Sequence, residues 1–300
     1  MTKKSKGYTV VNLTGKDRGF QFVVNAFLGI MFFIIFIPLW STIMLSVRPS
    51  TYIGSHFEGM FLPLWDWSLA AYKALLGNHG FLQSFLNSLK IMVFGVISAL
   101  LLTVPLAYGL SVKELPGRRW LTFYILLPYI FNVGLVPVYI LVTKIGLINK
   151  LASVFLPGAI GAYNCLIMRN FFEGLPNEIK ESAKIDGCNE VQVLVRIIMP
   201  LSKAILLTIG LYYAVSFWND FFHPMLYLNI DTLRPLPILL RNILLASGMN
   251  EFVEARAFGE APVEAIKAAS VFMSALPMII AYPFIQKYFT KGTLVGSVKG

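Results

Sequence analysis

The chain has 300 residues, of which 57% are hydrophobic and 13% charged, and its mean hydropathy is +0.70. Soluble domains carry about 25% charged residues, so this chain lacks the polar surface to face water on all sides and its solvent is largely lipid. A net charge of +10 does not make it a nucleic-acid binder, because that function requires a basic patch on a soluble fold, and neither is visible.

In chain order, the basic start (Lys3, Lys4, Lys6, Lys16, Arg18) resembles the beginning of a signal peptide. The apolar run behind it is too long for a cleaved leader and has no small-x-small cleavage site, which predicts a retained first span. Six runs are long enough to cross roughly 30 Å of hydrocarbon as helices. They cover residues 20–47, 85–112, 120–142, 151–168, 204–228 and 268–289. Barrel strands would be about 10 residues long with alternating polarity, whereas these runs are continuously apolar. The expected fold is therefore all-α and integral to the membrane, with six transmembrane helices. It comprises a cytoplasmic N-terminal segment 1–19, a single membrane domain 20–290 and a cytoplasmic tail 291–300.

Orientation follows from the excess of basic residues on cytoplasmic flanks. With the N-terminus inside, sixteen of the 25 Lys and Arg fall on the cytoplasmic side, which places both termini there. Residues 48–83 and 229–267 then form outer loops and residues 169–203 an inner one. Trp65 and Trp67, near Pro63, suit a membrane interface, and residues 249–269 are expected to form short helices. Pro105, Pro128, Pro137, Pro157 with Gly158, Pro277 and Pro283 interrupt the spans. They either serve helix packing or mark where a rocking bundle diverges.

The inner loop, residues 173–200, has legible local chemistry. Pro176 suits the first helical position and Glu178 complements the helix dipole, so a short helix runs to about Ile185. Asp186-Gly187 supplies a turn in which glycine takes a positive φ. Asn189 with Gln192 is capping-box-like and starts a second helix, which must end or kink before Pro200.

Glu181-Ser182-Ala183, three residues, then Gly187, with Ile197-Ile198-Met199-Pro200 beyond, resembles the cytoplasmic signature of the permease family of binding-protein-dependent ABC importers. Ser182 and Cys188 replace two usual alanines, and both remain small. Trp218-Asn219-Asp220 with Pro224 in the fifth run, and the final Gly296-Ser297-Val298-Lys299-Gly300, extend the resemblance to carbohydrate-type permeases. More narrowly, they are similar to the smaller permease of maltose transporters and its relatives for complex oligosaccharides. The resemblance implies a type I ABC permease fold. It also implies a heterodimer with a second permease subunit, two cytoplasmic ATPase subunits that hold ATP and Mg, and an extracytoplasmic solute-binding protein that delivers a sugar or oligosaccharide. In that family the loop is a coupling helix docked on the ATPase, with Glu181, Ser182, Ala183, Asp186 and Gly187 as its core here. Glu181 would pair with a basic ATPase residue or cap backbone groups locally. The outer-loop aromatics Trp65, Trp67, Phe252 and Phe258 would contact the binding protein.

This chain has no phosphate-cradling GxxxxGK[ST] loop and should not hydrolyse ATP itself. No cofactor, metal or catalytic residue is expected: Cys165 and Cys188 lack metal-site spacing, and His56, His79 and His223 are scattered. Candidates for the translocation path are polar groups within spans and their aromatic neighbours: Tyr129, Asn132, Tyr163, Asn164, Trp218, Asn219 and Asp220. The alternatives are that the asparagines bridge helices and that Asp220 with His223 is structural. Competing functions are import of a non-sugar solute by the same machinery, ion-coupled secondary transport, which would need inverted repeats or charged broken spans, and intramembrane hydrolysis, which would need motifs that are absent.

Overall fold

The structure, a computed structural model, describes the backbone of residues 15–52, 58–131, 133–245 and 261–296, and side chains in these segments except 15–18 and 284–296. Every regular element among the described residues is helical. The first run is α1 (Gly15–Ser46), followed by α2 (Ala70–Gly77) and α3 (His79–Ser111), whose first turn is capped by the Asn78 side chain. Then come α4 (Arg118–Ile130), α5 (Leu135–Lys144), the short α6 (Ala152–Phe155) and α7 (Ala162–Glu173). The loop region holds α8 (Asn177–Ile185), α9 (Glu190–Val193) and α10 (Met199–Leu201). The chain continues through α11 (Lys203–Trp218), α12 (Phe222–Tyr227), α13 (Leu236–Leu245) and α14 (Val263–Gly296).

Helix α3 is the centre of the bundle and packs most extensively against α11 and α7. Its buried stripe is rich in small residues: Ser84, Ser88, Gly95, Ala99, Thr103 and Ala107. In lipid, where apolar side chains gain little by leaving the solvent, small residues drive association by letting helices approach closely. Gly95 shows how closely, since a Cβ there would lie 2.6 Å from the Phe217 ring of α11. The Tyr213 hydroxyl ties the same seam together, 2.9 Å from Thr103 Oγ1 and accepting the Gly161 N–H at 3.0 Å. Helix α14 packs on α1 and α11.

By length and composition, three helices can cross a membrane unaided: Gly19–Ser46, His79–Ser111 and Val263–Pro283. The other expected spans are broken. In place of one helix over 120–142, α4 and α5 meet at 112°. Phe131 turns extended and Gly134 takes φ +81°, neither of which an α-helix accommodates. The run 151–168 is α6, a turn at Pro157-Gly158, and α7, which continues to Glu173. The run 204–228 divides between α11 and α12 at Asn219. Counting each of two bent pairs as one span gives up to five.

The prolines act unevenly. Helices α3, α4 and α14 continue through Pro105, Pro128, Pro277 and Pro283. The second loop helix, expected to end or kink before Pro200, leaves α geometry after Val193: the backbone widens into a π turn over Leu194–Ile198, carries Pro200 at the start of α10, and bends by 86° at Ser202. A π turn bonds five residues back, so it shifts the ladder that the missing Pro200 N–H would otherwise break. Residues 263–269, expected in short helices, form the first turns of the long α14, whereas 249–260, including Phe252 and Phe258, lie outside the described residues.

Candidate functional site

The loop after α7 is assembled from charged anchors and local caps. Glu173, at the last turn of α7, binds Arg118 of α4 and Arg169 one turn back at 3.0 Å. Arg118 also donates through Nε to the Leu110 carbonyl at 2.7 Å, so the ends of α3, α4 and α7 are joined. Pro176 sits extended, one position before α8 starts, and Lys180 Nζ donates to the Phe172 carbonyl at 3.1 Å. Burial pushes the Lys180 ammonium below its ordinary pKa.

Helix α8 ends in a Schellman motif. The Gly187 N–H bonds to the Lys184 carbonyl and the Cys188 N–H to the Ala183 carbonyl, both at 3.0 Å. Gly187 has φ +83°, and no atom lies within 4 Å of where a Cβ would stand, so its requirement is conformational and not one of space. Asn189 and Gln192 close a reciprocal capping box, each bond 2.9 Å. Of the five signature residues, Ala183 is buried against the core, while Glu181, Ser182, Asp186 and Gly187 face outward. The Glu181 carboxylate acts on Lys184 as a nearby charge, and Ile185, one turn further on, is 87% exposed. The loop thus presents an uncovered face on a rigidly closed turn.

Glu190, a residue outside the signature, connects this turn to the bundle. Its carboxylate takes Lys184 Nζ at 2.7 Å and the hydroxyl of Tyr108, from the last turn of α3, at 2.7 Å. The Lys184 bond first, and then the Tyr108 bond, hold the Glu190 carboxyl below its ordinary pKa, and the same ion pair raises Lys184. Sequence reasoning missed this link. A tyrosine one turn before the end of an apolar run was the available signal.

The path candidates separate in space. A cavity of about 510 Å³ opens between α3, α4 and the turn before α7, and Tyr124 and Tyr129 line it with Ile160 and Ala162. Tyr163 is exposed and Asn164 half-buried directly after that turn; Asn132 lies outside the described residues. Trp218, Asn219 and Asp220 are not among the residues lining this cavity. Trp218 is buried, donates to the Ser274 carbonyl at 2.9 Å and stacks edge-on with Phe85. Asn219 bonds back to the Val215 carbonyl at 3.0 Å. Asp220 caps α12 through the His223 N–H at 3.2 Å and pairs with the His223 ring at 2.8 Å.

At the other end of α3, Asn87 is buried and donates to the carbonyls of Thr232 at 2.8 Å and Arg234 at 3.3 Å. Ser88 accepts the Leu236 N–H at 2.8 Å. No group of three or more His, Cys, Asp or Glu able to hold a metal exists among the described residues.

The chain is 36% identical over 287 residues to the polygalacturonan/rhamnogalacturonan transport system permease protein YtcP of Bacillus subtilis, covering 95% of this chain and all of the relative. It is 40% identical over 234 residues to Protein LplC of the same organism, covering 78% and 79% of the two chains. Its fold matches the crystal structure of a bacterial ABC transporter involved in the import of the acidic polysaccharide alginate. That match has a TM-score of 0.84 and 32% identity, over 93% of this chain and all of the other. No family model matches.

Proposed function

The chain belongs to the permease subunits of ABC sugar importers, multi-pass membrane proteins, and from that premise we propose how it works and with what. It lies in the cytoplasmic membrane with both termini and the loop 173–200 inside. The basic-residue bias supports this orientation, as does the packing: the last turns of α1 and the first of α3 and α14 gather around α2, so the far ends of α1 and α14 run toward the α8 side. Six crossings result if the α6–α7 segment completes a span with its partner helices.

The observation that carries the mechanism is the closed turn at Gly187 with its exposed face. Such an element transmits force because it cannot deform cheaply, and it needs a partner because Ile185 and Glu181 are uncovered. That partner is one of two ATPase subunits, which bind ATP and Mg; this chain binds no cofactor. Domain closure there drives this permease and a second permease subunit from inward- to outward-facing, while a solute-binding protein docks on the outer loops. The solutes named for YtcP and for the alginate importer are polysaccharides, so the cargo is an oligosaccharide. Its path runs by Tyr129, Asn132, Tyr163 and Asn164, with Trp218, Asn219 and Asp220 shaping the break between α11 and α12.

The test is side-specific labelling combined with reconstitution. On a background with Cys165 and Cys188 replaced by serine, Ile185→Cys should label only from inside and Asp231→Cys only from outside. The complex in proteoliposomes should hydrolyse ATP faster with liganded binding protein. Labelling of both positions from one side, or no association with an ATPase, would overturn the proposal.

A further inference from the structure

We infer that α3 is a strut, clamped at one end to the coupling loop by Tyr108 and Glu190 and at the other to the outer segment 232–236 by Asn87 and Ser88. Through it the ATPase side and the binding-protein side act on one rigid body. The inference rests on the orientation and partners proposed above. It concerns contacts that no local reading of the loop contains.

The physical case begins with length. Helix α3 has 33 residues and, at 1.5 Å per residue, spans about 50 Å, the full membrane and its interfaces. Its two clamps are polar and directional, unlike the apolar contacts between them. At the loop end, the Tyr108 hydroxyl emerges from a ring only 6% exposed and reaches a carboxylate that also holds Lys184 of α8. A movement of α8 therefore pulls on α3 directly, as well as through the chain connections to α7 and α11. The edge-on contact of Tyr108 with Phe172, 6.5 Å between centroids, prevents the ring from simply swinging aside.

At the outer end Asn87 is 1% exposed, and its amide donates to two carbonyls around the 3₁₀ turn Asp231–Leu233, which is itself closed by the Leu233 N–H on Ile230 and the Arg234 N–H on Asp231. Ser88, 2% exposed, takes the N–H that opens α13. Breaking these bonds would strand the buried Leu236 N–H and leave the Thr232 and Arg234 carbonyls without their amide donor, so the outer segment follows α3 when it moves. Two remote sites then bias the same element, which is the physical requirement for coupling between them.

The experiment compares basal ATPase activity with activity stimulated by liganded binding protein, in the full reconstituted complex. Tyr108→Phe deletes one hydroxyl, and Asn87→Ala removes the two amide bonds of the outer clamp and leaves Ser88 on Leu236. Each should lower the stimulated-to-basal ratio at least about 5-fold, the low end of allosteric coupling, while insertion, ATPase association and basal rate stay close to wild type. The double variant should fall no further than the worse single variant, because both interrupt one strut. Glu190→Gln keeps an acceptor for Tyr108 and should retain more of the ratio than Glu190→Ala.

An unchanged ratio in Tyr108→Phe overturns the strut. So do losses that multiply in the double variant, which would mean two independent routes, and parallel loss of association and basal rate, which would mean a folding role alone. A wild-type complex without binding-protein stimulation would sink the underlying reading and the strut with it, and the wild-type control distinguishes that case from failure of the variants.

Discussion

At one end of α3 the chain turns through Gly187 using hydrogen bonds between residues no more than five apart, whereas at the other the segment 232–236 hangs on side chains about 150 positions earlier. The first turn is written in adjacent residues: a glycine at positive φ, a Schellman pair and an Asn–Gln capping box. The second depends on two polar residues of a membrane helix meeting a loop from elsewhere in the chain. Substitutions should therefore act differently at the two ends, by reshaping at the first and by release at the second.

The largest effect is expected from Gly187→Val. A β-branched residue at φ +83° costs about 1–3 kcal/mol of backbone strain, which the loop can relieve only by changing shape. The spans do not depend on that turn, so insertion should be normal while ATPase association and sugar uptake are lost. Wild-type uptake would show that the local turn is dispensable and would break the contrast.

Asn87→Ala should act by release. It removes two part-buried hydrogen bonds to the carbonyls of Thr232 and Arg234, each worth about 0.5–1.5 kcal/mol. The amide protons of Leu233 and Arg234 should then exchange with solvent faster than in wild type, with α8 unaffected. If exchange at Leu233 and Arg234 does not change, Asn87 is not what holds the outer segment.

A smaller effect is expected from Asn189→Ala, which removes one half of the capping box at a cost of about 1 kcal/mol. It should weaken ATPase association several-fold less than Gly187→Val does, as measured by co-purification in detergent. Loss equal to that of Gly187→Val would shift the weight of the turn from the glycine to the cap.

The smallest effect is a null across physiological pH. The Glu190 carboxyl is held below its ordinary value, so its contribution is present above the unfolded pKa and fades only as pH falls below about 4. Lys184 is raised, so its contribution is intact below about pH 10 and is lost only above that. The stimulated-to-basal ATPase ratio should carry no inflection between pH 5 and 9 from this ion pair. An inflection abolished by Glu190→Gln would contradict the assignment of both charges.

The contrast also explains what was legible beforehand. The loop 173–200 was readable almost residue by residue, because helix ends and tight turns are decided by neighbours in sequence: Gly187, Asn189 and Gln192 behave as their local chemistry requires. The path candidates were readable only as polar residues in apolar runs. Trp218, Asn219 and Asp220 share that property with Tyr129 and Asn164, yet the first three bind carbonyls, a helix start and a neighbouring helix, while Tyr129 borders a cavity and Asn164 follows the turn beside it. Nothing in the run itself separates a polar group that satisfies its own backbone from one that faces an opening.

The amino-acid sequence by itself determined the solvent, the helical class, the apolar runs and the shape of the turn at Gly187, since each follows from composition or from bonds between near neighbours. The tertiary structure decided where the third, fourth and fifth runs break, which polar side chains are occupied, and the two clamps on α3. Tyr108 with Glu190 and Asn87 with Thr232 are contacts across 82 and 145 residues, and their existence depends on helix packing that no local pattern encodes.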